Sequence, residues 1–195
     1  YIGDHGMLIG HHGYYGRGAV GVIAGNKVVG YENFANLYDE AIKIPFIIRA
    51  PALIEPGQEI EIPVSNIDVF PSIMSALAIK APNDLNLSGI DLIQISNEQD
   101  TLESRPIFAQ YAMRNFGYSD LRMVRSGKWK LIKRFNLKAN AELVDELYDL
   151  EADPNEKTNL IKQVSNQPIY EKLDNLIHSW MISIDDPLLS SSYKQ

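Results

Sequence analysis

The sequence predicts an α/β fold in two parts, on three observations. Residues 31–77 combine helical spacing of apolar side chains with a short, wholly apolar run. After Arg105-Pro106 the pattern changes to apolar–polar alternation. From Pro168 onward a single apolar stripe recurs at helical spacing. The expected division is an α/β sheet region over residues 1–104, then a small α+β region over 105–195, an antiparallel sheet closed by a C-terminal helix.

The elements follow in order. Ile2 belongs to a short strand, with Asp4 at its carboxyl end, where open α/β sheets place ligands. The first 30 residues hold 9 of the 13 glycines and are loop-like. Tyr31, Phe34, Tyr38 and Ala41 stand near helical spacing before Lys43. Pro45-Phe46-Ile47-Ile48 predicts a short buried strand, and Pro51, Pro56 and Gly57 turn the chain. Asp68 is placed to cap a helix beginning Val69-Phe70-Pro71, with Phe70, Ile73, Met74 and Leu77 on one face and Pro82 ending it. Residues 83–104 are polar and turn-rich, and the boundary is placed there. Ile107 to Met113 predicts a strand, Leu121 to Ile132 a hairpin turning at Ser126-Gly127, and Glu146 to Leu150 a further strand. Trp129 and Leu131 face one way, Lys128 and Lys130 the other. Asp153-Pro154-Asn155 is a turn. The terminal helix starts near Pro168, with Ile169, Leu173, Leu176, Ile177 and Trp180 as its stripe.

Composition narrows the function. Of 195 residues, 45% are apolar and 22% charged, enough apolar surface for a folded core. No apolar run approaches the roughly 18 residues of a membrane span. With no cysteine, disulfides, thiolate metal sites and cysteine nucleophiles are excluded. The net charge is −7, the reverse of what a nucleic-acid partner favours, although a local cationic site can still hold an anion. Residues 105–138 carry nine basic side chains and one acidic, and 142–156 carry seven acidic and none basic. Antiparallel strands pairing opposite charges across the sheet's solvent face explain this better than a nucleic-acid stripe. Trp129, Tyr148 and Trp180 are core candidates, and His178 is assigned a structural role.

The chemistry concentrates at the start. Asp4-His5-Gly6, Gly10-His11-His12-Gly13 and Gly16-Arg17-Gly18 bring three of the four histidines, a carboxylate and an arginine together. Asp4 and His5 offer a hard oxygen and a nitrogen to a divalent cation, an incomplete set whose remainder must come from elsewhere. Arg17 presents forked donors for an anionic oxygen, with His11 and Lys27 as further substrate-binding candidates. Gly25-Asn26-Lys27-Val28 lacks the spacing of a phosphate-binding P-loop, and neither Gly-x-Ser-x-Gly nor His-Glu-x-x-His occurs. A functional-looking motif at the very start, without methionine or signal-like segment, leads to the expectation that the chain is the C-terminal portion of a longer protein.

That block resembles the Asp-His-Gly…His-Gly…Gly-Lys-Gly block of sulfatases, members of the alkaline phosphatase-like superfamily. The likeness continues through Leu37-Tyr38-Asp39-Glu40-Ala41-Ile42-Lys43-Ile44-Pro45, Val64-Ser65-Asn66-Ile67-Asp68, Ser88-Gly89-Ile90-Asp91-Leu92 and Glu146-Leu147-Tyr148-Asp149-Leu150 to Asn159-Leu160. The resemblance implies the C-terminal part of an alkaline phosphatase-like α/β sheet domain over residues 1–104. It implies a calcium-dependent sulfuric ester hydrolase acting on small-molecule or glycan sulfate esters. Asp4 and His5 would be calcium ligands, and His12 and Arg17 catalytic, Arg17 standing where the family usually has a sulfate-binding lysine. The Cys/Ser-x-Pro-x-Arg motif that yields the formylglycine nucleophile is absent, so formylglycine is expected on a preceding portion and this chain alone is expected to be inactive. Residues 19–36 look like an insertion. Phosphodiester or phosphonate hydrolysis, and a non-enzymatic binding module, are the alternatives. Family members are often periplasmic or secreted.

Overall fold

The alternating stretch after Pro106 forms a four-stranded sheet ordered β3-β4-β5-β6, from Ile107–Met113 (β3), Ser119–Ser126 (β4), Trp129–Phe135 (β5) and Glu146–Asp149 (β6). It is seen in a computed structural model that describes residues 1–16, 35–82, 85, 87–95, 105–113, 119–135, 144–164 and 167–190. Two compact units result: Tyr1–Phe46 with Phe108–Gln195, and Ile47–Ile107. Residues 1–46 group with the later part of the chain.

In the first unit the hairpin turns at Gly127, whose φ of 56° suits a residue without Cβ. Val124, Leu131 and Leu147 stand opposite one another across β4, β5 and β6. They pack with Ile161 of the short helix α3, Ile161–Val164, and with Leu173, Ile177 and Met181 of helix α4, Pro168–Ser183. Each such burial contributes about 1.5–3 kcal/mol against exposure. Trp180 stacks on Phe108 with ring centroids 4.9 Å apart. Beyond α4, Asp186 receives a bidentate grip from buried Arg122, Nε at 2.5 Å and Nη2 at 3.0 Å. The opposite face is covered too: Leu121, Met123, Ile132 and Tyr148 pack with Ala35 and Leu37.

This second cover corrects the charge reading. Opposite charges do pair, as in Lys128 with Asp149 at 2.8 Å, but Lys130, Arg134 and Glu146 are buried beneath residues 35–42, not on a solvent face. Helix α1 spans only Asp39–Ile42, and residues 35–38 are not helical. The run at Pro45–Ile48 is no strand: Phe46 makes one antiparallel bridge to Ile2, and Ile47 is 61% exposed. A fully buried strand needs neighbours on both edges, and among the described residues this run shows one bridge.

The second unit holds helix α2, Val69–Ala76. Of the residues expected on one face, Phe70, Ile73 and Leu77 are exposed in this chain, and Ser72 is buried. The Ser72 hydroxyl donates to the Asp68 carbonyl and accepts from Leu92 N–H, which sets the inward face. Asp68 is the N-cap residue of α2, but its side chain makes no capping hydrogen bond to that helix. Its buried carboxylate accepts from Ser65 N, Ile90 N and both terminal nitrogens of Arg105. The helix stops well before Pro82, where Ala78 turns left-handed at φ 52°. Among the described residues no helix is long and apolar enough to cross a membrane.

Candidate functional site

The opening segment is laid along residues 41–46. Gly3 N–H donates to Pro45 O at 3.2 Å and Gly6 N–H to Ala41 O at 2.9 Å. Any Cβ at Gly6 would collide with the Glu40 carbonyl oxygen, so only glycine permits this approach. Strands β1 (Leu8–Ile9) and β2 (Tyr15–Gly16) then pair antiparallel around one 3-10 turn, His11–Gly13. Leu8 is fully buried and anchors the hairpin, while His12 takes a left-handed φ of 54° at its tip.

That conformation turns the His12 ring inward. It stacks on Tyr38 at 3.7 Å between centroids, 7° from parallel. Its Nε2 faces Glu40 Oε2 at 3.6 Å, and both atoms are buried without a hydrogen-bond partner among the described residues. Burial lowers the His12 pKa. Glu40, and more weakly Glu146, pull it back up, and His11 pushes it down; burial prevails.

Below the ring the sheet supplies two supports. Burial, then Glu146, pushes the Tyr38 hydroxyl pKa up. Tyr148 stands edge-on to Tyr38 and its hydroxyl donates to Glu146 Oε2 at 2.7 Å. The other Glu146 oxygen accepts from Nε and Nη2 of Arg134, whose Nη1 donates to Ala35 O at 2.9 Å. The second support lies at Asp39. Fully buried Lys130 reaches Asp39 Oδ1 and Glu156 Oε1, each at 2.7 Å, and Glu156 Oε2 accepts from the Asp39 N–H at 2.6 Å. Burial pushes the Glu156 carboxyl up, against the pull of Lys130.

Asp4 and His5 form a different pair, on the surface. His5 Nδ1 lies 2.8 Å from Gly6 O, and Nε2 lies 3.4 Å from Asp4 Oδ2. A carbonyl can only accept, so Nδ1 carries a proton in that contact. Two donors about 2.4 Å from one ion, at right angles, stand roughly 3.4 Å apart. Asp4 Oδ2 and His5 Nε2 stand at that separation. Among the described residues no group of three or more metal-ligating side chains converges, so the pair is a partial donor set.

Of the other expected site residues, His11 is exposed beside His12 on the turn, and Arg17 and Lys27 lie outside the described residues. Glu40, Asp39, Lys130 and Glu156 were not singled out for the site from sequence. The signal that points to them is the basic–acidic segregation of 105–156, once the sheet's second face is known to be covered.

Residues 30–182 match the N-sulphoglucosamine sulphohydrolase C-terminal family. The chain is 28% identical over 190 residues to an uncharacterized sulfatase, YidJ, of Escherichia coli strain K12, covering 97% of this chain and 33% of that protein. It is 28% identical over 176 residues to an ulvan-active sulfatase of Formosa agariphila, covering 77% of this chain and 35% of that one. Its fold superposes with a TM-score of 0.65, at 21% identity, on BT4656, solved with its substrate D-glucosamine-2-N,6-O-disulfate; the match covers 96% of this chain and 34% of that one. The chain thus spans about a third of the length of these relatives.

Proposed function

Because the chain belongs to the N-sulphoglucosamine sulphohydrolase C-terminal family, we propose that it contributes the cation- and anion-binding edge of a sulfuric ester hydrolase. The observation that carries this reading is the Asp4–His5 pair, whose Oδ2 and Nε2 stand at chelating separation with the ring's other nitrogen against a backbone carbonyl. Asp4 and His5 would hold calcium, which when bound supplies Lewis-acid stabilisation of charge on the sulfuryl oxygens. The remaining ligands and the formylglycine nucleophile are assigned to a preceding portion of the protein.

The other residues of this chain bind and move a proton. Arg17 clamps the sulfate with charge-assisted hydrogen bonds, and His11 and Lys27 add positive or donor groups around it. His12, held inward on Tyr38, delivers a proton to the leaving oxygen. The substrate class is a sulfate ester of a small molecule or a glycan, in keeping with the ulvan-active relative.

The test is Asp4→Ala in the intact protein, assayed for calcium binding and for turnover of aryl sulfate, glycan sulfate, phosphodiester and phosphonate substrates. Sulfate ester turnover should fall by about three orders of magnitude or more, with weakened calcium affinity. Unchanged turnover in the variant, or dominant phosphodiester or phosphonate turnover in the parent protein, overturns the reading.

A further inference from the structure

We propose that Glu40 is a positioning residue for His12: it holds the ring by Nε2 and so makes Nδ1 the nitrogen that serves the leaving oxygen. The inference rests on the sulfatase reading for its chemistry, but not for its geometry.

The geometry is that of two complementary atoms placed together and shielded. Nε2 of His12 and Oε2 of Glu40 are 3.6 Å apart, on side chains 11% and 18% exposed, and neither has a hydrogen-bond partner among the described residues. A buried ring nitrogen and a buried carboxylate oxygen left without other partners are costly unless they satisfy each other. The carboxylate stabilises both forms that carry a proton on Nε2, the imidazolium and the Nε2–H neutral ring. It disfavours the Nδ1–H neutral ring, which would aim a lone pair at an anion. When the S–O bond breaks, its electron pair goes to the leaving oxygen, which takes its proton from Nδ1. The ring that remains is the Nε2–H form Glu40 already favours, the logic of a carboxylate behind a catalytic imidazole.

Glu40 does not arrive there by chance packing. Its helix α1 is tied at Asp39 to buried Lys130 and to Glu156. Its carbonyl leaves no room for any Cβ at Gly6, and Gly6 N–H holds the next residue, Ala41, at 2.9 Å. Tyr38, immediately before α1, stacks on the His12 ring and fixes its plane. Among the described residues, the charged or titratable groups acting on the ring besides Tyr38 and Glu40 are Glu146 of β6 and the neighbouring His11.

The experiment uses the intact protein with Glu40→Gln, Glu40→Asp, His12→Ala and the double variant Glu40→Gln/His12→Ala. For poor leaving groups such as alkyl sulfates, Glu40→Gln should cost about 10²-fold in kcat. For nitrophenyl sulfate the loss should be roughly tenfold or less, because an activated leaving group needs little proton transfer. The pH above which kcat falls should move down by ~1 unit, and Glu40→Asp should restore part of both effects. The double variant should be no worse than His12→Ala alone. Equal losses across leaving groups, an unmoved pH limb or additive losses overturn the proposal. If the parent protein hydrolyses no sulfate ester, the sulfatase reading fails, and the proposal is decided by ¹⁵N ring spectra of His12 titrated by pH. A downward shift of the ring pKa in Glu40→Gln sustains it; an unmoved titration overturns it.

Discussion

Asp4 with His5 and Glu40 with His12 are the same chemical couple in opposite surroundings. The first pair is 3.4 Å apart with side chains 88% and 34% exposed; the second is 3.6 Å apart with side chains 18% and 11% exposed. Water solvates the surface pair whether or not its members meet, so their coupling adds little to folding. The inner pair has lost that solvation and depends on the structure around it. Its supports run down through Tyr38 and Asp39 into the charged face of the sheet. The difference teaches how burial separates the two couples: the outer pair stands at the surface, and the inner pair is part of the fold.

The largest test of that contrast removes the support. Lys130→Met leaves Asp39 and buried Glu156 without their shared cation. Breaking a buried ion pair from one side costs about 3–5 kcal/mol. Urea unfolding should show a loss of that order, and the His12 ring should lose its protection while the Asp4–His5 pair is untouched. A loss below about 1 kcal/mol would show that α1 is held by other means.

A smaller effect follows from pH. His12 has its pKa lowered below the ordinary 6.5 by burial, with Glu40 and Glu146 only partly compensating. Between the folded value and 6.5 the unfolded chain binds a proton that the folded chain does not. Stability therefore rises with pH through that window and falls as pH drops below 6.5. Glu156 works in the opposite sense, since its raised pKa means stability is lost as pH rises through the folded value. The difference between the parent protein and His12→Gln isolates the histidine: the parent should have the steeper slope of unfolding free energy between about pH 5 and 7.

These supports also mark what could be read from sequence. β3, the hairpin, β6 and α4 were legible because alternation and helical spacing report which side chains are buried, and Pro168 and Gly127 punctuate the ends. The same reasoning placed Lys130 on the face opposite Leu131 correctly, but assumed that face was wet. Periodicity says which residues share a face and nothing about what covers it, so the layer formed by Ala35, Leu37 and Tyr38 was invisible. For α2 spacing grouped Phe70, Ile73, Met74 and Leu77 on one face, but it carries no sign that Ser72, through two hydrogen bonds, determines the inward side. Adjacency in sequence made the contact between Asp4 and His5 readable. The approach of Glu40 to His12 depends on a hairpin tip with positive φ and on the Gly6 approach, which spacing does not reveal.

The smallest effect sharpens the contrast most. Asp4→Ala removes a side chain that is 88% exposed and whose contacts are to its own neighbour, His5. Surface changes away from caps and buried networks stay within about 0.5 kcal/mol. Its unfolding free energy should therefore match the parent within that margin, although the same substitution is expected to abolish sulfate ester turnover in the intact protein. Calorimetry and assay on one preparation make the comparison direct. A clear loss of stability would mean that the outer pair is built into the fold as the inner one is, and lost turnover would then no longer point to a ligand site.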